Sequence, residues 1–163
     1  MSKIQCDCCG EYHDTENMDI AIKKPISYFE IKESDLEKRI LHESDDFIVI
    51  DNEIFLVRGI LPIQIHEHDD FCWGLWTKVS EQTFAEIWHM FEHDGTGMVF
   101  DGMLDDAPDG YKDTYNQKIE IHLGTPDERP KFIFKDNDCR MASEQLNGLS
   151  LHEISQIRES ILG

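Results

Sequence analysis

Basic residues are scarce in this chain. Only 15 of its 163 residues are Lys or Arg against 34 Asp or Glu, which leaves a formal charge of −19 at pH 7. Free nucleic acid and anionic membrane surfaces are excluded as ligands, because a surface this acidic repels polyanions and offers few cations to displace their counterions. Long apolar runs are lacking too. The longest, residues 47–50 and 54–57, fall far short of the roughly 18 residues needed to cross a bilayer. Met1-Ser2-Lys3-Ile4-Gln5-Cys6 has no basic stretch leading into an apolar one, so no secretory signal is read there and a cytoplasmic location is expected. No Gly-rich phosphate loop and no Gly-x-Ser-x-Gly elbow occurs, so nucleotide hydrolysis and serine esterase chemistry lack their usual markers. Repeats, low-complexity tracts and Gly/Ser linkers are also missing, which points to one domain over residues 1–163.

What is present is enough to build a core. Apolar residues make up 40% of the chain and include 9 Phe and 3 Trp, surface that can offset chain entropy. Two segments have helical spacing. Ser80 serves as N-cap for a run in which Phe84, Ile87, Trp88 and Phe91 recur on one core-facing stripe, with Gly95 as its stop. Ser150 and Glu153 stand at capping-box spacing ahead of Leu151, Ile154, Ile157 and Ile161. A third helix is expected from Ser34, with Glu37 as box partner, to about His42.

Residues 46–51, 53–58, 61–66, 71–79, 97–104, 115–123 and 131–135 read as strands, with Asp51-Asn52 as a tight turn between the first two. Phe71, Trp73 and Leu75 alternate with Cys72 and Trp76, so large rings go to both faces of a central strand. Strands come in runs rather than alternating with helices. The expected fold class is therefore α+β, a largely antiparallel sheet with two to three helices, and an N-terminal zinc-knuckle-like loop in residues 1–20 packed on that body.

Three of the five cysteines, Cys6, Cys8 and Cys9, lie within four positions, a spacing that suits a metal better than a disulfide framework in a reducing compartment. In Cys6-Asp7-Cys8-Cys9-Gly10 the thiolates of Cys6 and Cys9 converge on one tetrahedral ion, and Gly10 lets the backbone reverse. His13 is near enough to add a nitrogen. The fourth ligand must come from Cys72 or Cys139, and a closed set of this kind makes zinc a structural cofactor. The rival readings are a redox Cys-x-x-Cys, which wants a helix directly after the motif where this chain is polar and turn-like, and a plain metal-free loop.

These residues carry a resemblance. The chain resembles the bacterial family called domain of unknown function 2199 in Cys6-x-x-Cys9-Gly10 with His13, in Val49-Ile50-Asp51, and in Phe55-Leu56-Val57-Arg58-Gly59. The match continues through Phe71-Cys72-Trp73-Gly74-Leu75-Trp76, Gly110-Tyr111-x-Asp113-Thr114, Arg129-Pro130 and Glu144-Gln145-x-x-Gly148-Leu149-Ser150. It implies a bacterial single-domain protein and carries no established activity. The family pattern has His-Pro-Leu where this chain has Cys139-Arg140-Met141, and exchanging His for Cys keeps a zinc ligand, so the resemblance favours Cys139 over Cys72.

Other clusters are weaker. His89-Met90-Phe91-Glu92-His93 has the order of inverted zinc peptidases, but on a helical wheel His89 and His93 fall about 140° and about 180° from Phe84, away from the core stripe. His66, His68 and Asp70 could form a two-His-one-carboxylate metal site, against the plainer reading of a polar turn. Residues 101–110 lack the ligand pattern of an EF-hand and read as a solvated acidic loop, part of one acidic face over residues 92–113. Arg58 follows an apolar run, so a partly buried guanidinium is expected, held by an internal ion pair or else by an anionic ligand.

The leading functional expectation is a non-enzymatic, zinc-stabilised acidic module that binds a basic protein partner, in the manner of an inhibitor or immunity protein. The alternative is a metal-dependent hydrolase or oxygenase using His66, His68 and Asp70, or His89 and His93.

Overall fold

The computed structural model describes residues 19–162 together with the backbone of residues 3–5 and 12–14. β1 (Lys3–Gln5) and β2 (Tyr12–Asp14) pair antiparallel, with Gln5 opposite Tyr12 and Ile4 opposite His13. The body follows as β3 (Ile20–Ala21), α1 (Ile26–Phe29), α2 (Leu36–Arg39), β4 (Ile40–Glu43), β5 (Phe47–Ile50), β6 (Ile54–Ile63) and β7 (Phe71–Val79). Next come α3 (Glu81–His89), β8 (Val99–Leu104), β9 (Lys118–His122), β10 (Lys131–Phe134), α4 (Arg140–Asn147) and α5 (Leu151–Leu162).

The fold is α+β, as expected, but the sheet closes on itself. β6 pairs antiparallel with β7, β7 with β8, β8 with β9 and β9 with β10, and β10 returns to lie parallel to β6 at Lys131 opposite Ile60. The result is a five-stranded barrel. Two long strands serve it and a flanking sheet at once. The first residues of β6 pair with β5, which carries β4 on its outer edge, while Trp73 and Gly74 of β7 take β3 in parallel. Gly59 makes the closure feasible, since a Cβ there would lie 2.7 Å from the Pro130 carbonyl oxygen and inside the Phe132 ring.

Alternation along β7 sends Phe71, Trp73 and Leu75 into the main core and Trp76 into a second, smaller one with Ile31, Ile48, Ile50 and Leu56. The central-strand expectation holds for this reason. α5 buries Leu151, Ile154 and Ile157 against the main core, and its capping box forms as read: Ser150 N donates to Glu153 Oε1 at 3.0 Å and Glu153 N to Ser150 Oγ at 3.1 Å. Asp51 and Asn52 take φ of 55° and 57° as the central residues of a tight turn closed by Glu53 N donating to the Ile50 carbonyl at 3.0 Å, and Ile50 pairs with Ile54 beyond it.

Several expectations are corrected. Five α-helices are present among the described residues, not two to three, and α4 had no helical signal strong enough to be read. The helix expected from Ser34 to His42 is instead a 3₁₀ turn, the four-residue α2 and then strand β4. Pairing with β5 and packing of Ile40 against the second core override the local propensity there. The strands read at 53–58 and 61–66 are one strand, β6, running through Gly59. Among the described residues, no helix is long and apolar enough to cross a membrane.

Candidate functional site

The site lies where three segments meet: the β4–β5 turn, the end of α3 and the connection from β9 to β10. Ser80 Oγ caps α3 by accepting from Thr83 N at 3.1 Å, and the helix then lies against β6. Ile87 is buried in the main core and Phe84 packs against it. Trp88 and Phe91 do not follow them inside. They are 47% and 50% exposed, which corrects the reading of a wholly core-facing stripe. Both rest instead on Phe47, with ring centroids 4.9 Å and 5.3 Å away, and Phe84 stacks on Trp88 at 5.8 Å. His42 of β4 meets the Trp88 ring edge-on at 4.9 Å.

Two concavities flank this aromatic ridge. The first, about 540 Å³, opens in front of Trp88 and is bounded by Asp45, Asp46 and Glu92 together with His42, His89 and His93. Its lining holds three aromatic rings and three carboxylates but no Lys or Arg. Asp46 accepts from Arg129 Nε at 3.1 Å, whereas Asp45 and Glu92 have no ion-pair partner among the described residues. The second, about 180 Å³, lies on the other side of Phe47 and Phe91, over Val57, Ile87 and Leu123. Its rim is the β9–β10 connection, tied to itself by Thr125 Oγ1 donating to Glu128 Oε1 at 3.0 Å.

The acidic stretch at 92–113 is not one solvated face. Asp105 and Asp106 are buried, and the Asp106 carboxyl takes the Trp76 N–H where β8 leaves β7. Trp76 N donates to Asp106 Oδ2 at 2.6 Å, Asp105 N to the Trp76 carbonyl at 2.9 Å, and Ser27 N to Asp105 Oδ2 at 3.0 Å. Burial pushes the Asp106 carboxyl up to about 8, and Asp105 is raised for the same reason.

Arg58 is partly buried as expected, but it forms no ion pair among the described residues. Its Nη2 donates to the Ile22 carbonyl at 3.3 Å, its Nη1 reaches the Asp45 carbonyl at 3.5 Å, and the guanidinium lies 5.6 Å from the Trp76 ring. Burial lowers its pKa, and the charge of nearby Arg129 adds to the effect. Main-chain carbonyls thus take the role that a carboxylate was expected to fill.

The residues expected to bind metal fare unequally. Cys6 and Cys9 lie outside the described residues, and of His13 only the backbone is described. Cys139 is buried at the start of α4, where burial raises its thiol above the ordinary range. Cys72 is half-buried and its thiol is pushed up to about 11 by burial and by Asp19 and Asp70. His66 turns its Nε2 to the Asn147 carbonyl at 3.2 Å, and Glu67 follows in the left-handed region with φ 68°. His89 and His93 hold their rings 5.6 Å apart at the edge of the first concavity. Among the described residues, no group of three or more His, Cys, Asp or Glu is arranged to hold an ion, so neither His66, His68 and Asp70 nor His89 and His93 make such a set.

The family profile of an uncharacterised protein conserved in bacteria, DUF2199, matches residues 5–149. The chain belongs to this family. The match runs from the last residue of β1 through α4 and so takes in the barrel and all three segments of the cleft. No curated protein and no solved structure matches the chain.

Sequence reading missed most of this site. It singled out His89 and His93 but not His42, Phe47, Asp45, Asp46 or the 123–130 connection, because these come from segments about 80 residues apart in the chain and share no spacing. No spacing in the sequence marked it, because Trp88 and Phe91 share one helix face with Phe84 and Ile87 and only the extent of the sheet beneath decides which of them are covered.

Proposed function

We propose that this chain is a binding module for a basic polypeptide segment, with the concavity in front of Trp88 as its recognition site. One observation carries the reading: three aromatic rings and three carboxylates line that space beside three histidines, and no Lys or Arg does. A Lys or Arg side chain entering there meets ring faces and carboxylate oxygens together, each favourable to a cation. The excess of 34 acids over 15 bases adds long-range attraction for the same partner, faster in encounter and weaker in salt.

The test is fluorescence anisotropy of a labelled oligolysine peptide titrated with the full chain. Trp88→Ala, and separately Asp45→Asn with Glu92→Gln, should each weaken binding about tenfold, the equivalent of ~1.4 kcal/mol. If every variant binds like the parent while salt still abolishes binding, attraction is a property of net charge and the site reading falls.

We also propose that Cys6, Cys9 and His13, with Cys139 as fourth ligand, hold one structural zinc. The support is the Cys-x-x-Cys-Gly spacing and the antiparallel pairing of β1 with β2 on either side of the stretch that carries the thiols. Native mass spectrometry should count one zinc per chain, absent from the Cys6→Ser, Cys9→Ser double variant. A metal-free native chain would refute it, retention of zinc by Cys139→Ser would remove Cys139 from the set, and two metals would favour a metal-dependent enzyme.

A further inference from the structure

We infer that the segment bound at Trp88 carries a large apolar side chain beside its cation, and that this side chain seats in the second concavity. The inference rests on the basic-segment reading above and extends it from charge to sequence preference. The two concavities share a wall made by Asp46, Phe47, Phe91 and His93, so they are adjacent and a segment that crosses this ridge from the first reaches the mouth of the second. Below that mouth lie Val57, Ile87 and Leu123, the first two only 1% and 3% exposed, in a space of about 180 Å³.

Most of the charged groups around that mouth already have partners, Asp127 and the Arg58 Nε being the exceptions among the described residues. Arg129 is held by Asp46, Glu128 by Thr125, and the Arg58 guanidinium by two main-chain carbonyls. A polar side chain pushed between them would lose water and find few free partners, whereas an apolar one exchanges water for Phe47, Phe91 and Leu123. Anchors of this kind, fully desolvated at the centre of a polar rim, carry most of the energy in protein interfaces. In an extended segment successive residues advance about 3.3 Å, so a shared wall places the cation and the anchor within about two residues of each other.

Trp73 and Trp76 are buried while Trp88 is exposed, so a change in Trp fluorescence on titration reports this cleft. The native full chain is titrated with three capped peptides. One has the core Lys-Lys-Leu-Lys-Lys, a second has Gly in place of Leu, and a third has Glu in place of every Lys. The leucine peptide is expected to bind about tenfold or more tighter than the glycine peptide, and the glutamate peptide not at all. Equal affinity for the first two overturns the anchor and leaves the cation site standing. Binding by neither overturns both readings, and equal binding by the glutamate peptide shows an apolar groove indifferent to charge, which also overturns the paired recognition. On the protein side, Leu123→Glu should bring the leucine peptide down to the glycine peptide's affinity without weakening the latter. If that variant fails to fold, the three-peptide comparison on the native chain still decides.

Discussion

Asp106 is a carboxyl placed where a main-chain acceptor would normally stand. It accepts from Trp76 N, and burial raises its pKa to about 8. The unfolded chain releases that proton near the ordinary carboxylate value of about 4. Between the two values the folded state holds more protons than the unfolded one, so stability falls as pH rises, at up to about 1.4 kcal/mol per pH unit from this group, and levels off above about pH 8. Asp106→Asn keeps an oxygen for Trp76 N and removes the titration. The urea midpoint should therefore drop between about pH 5 and about pH 8 in the parent chain and drop less in the variant, where Asp105, also raised by burial, still titrates; equal drops would show that Asp106 is not the group responsible. Nothing in residues 101–110 distinguished Asp105 and Asp106 from their exposed neighbours, because burial is conferred by Trp76 and α1 from distant parts of the chain. Arg58 was legible as half-buried, since it ends an apolar run, but its partners were not.

At the scale of elements, legibility tracked how local the cause was. The α5 capping box needs only residues three apart, and it forms as read. Ser150→Ala should cost about 1 kcal/mol in urea unfolding, with Ser150→Thr costing less because it keeps the acceptor. A Ser150→Ala variant as stable as the parent would mean that packing of Leu151, Ile154 and Ile157 alone holds the helix start. The Asp51-Asn52 turn was equally local. By contrast α2 gives way to β4 at Ile40, where helical propensity competes with a strand position beside Ile50 and loses. The wheel for α3 placed Trp88 and Phe91 correctly on the Phe84 side, but it could not say that the sheet beneath covers only Phe84 and Ile87.

For the whole molecule, the decisive event is closure. β10 meets β6 in parallel, and the close approach at Gly59 lets Phe132 and Pro130 lie against that strand. This brings the 123–130 connection beside the end of α3 and the β4–β5 turn, and the cleft exists only because the three converge. Net charge behaves differently, since −19 holds whatever the fold. The fold sorts it, sending Asp105 and Asp106 into the interior and leaving Asp45 and Glu92 around Trp88.

Composition, alternation and capping thus determined by themselves that this chain is acidic, α+β, strand-rich and built around a two-faced central strand. Each of these depends on residues within a few positions of one another. Only the tertiary structure decided that the sheet is a barrel, which carboxylates are buried, and that two concavities flank an aromatic ridge where three distant segments meet. Those outcomes depend on pairings between segments up to about 80 residues apart, and no local pattern in the chain encodes which distant segment will arrive.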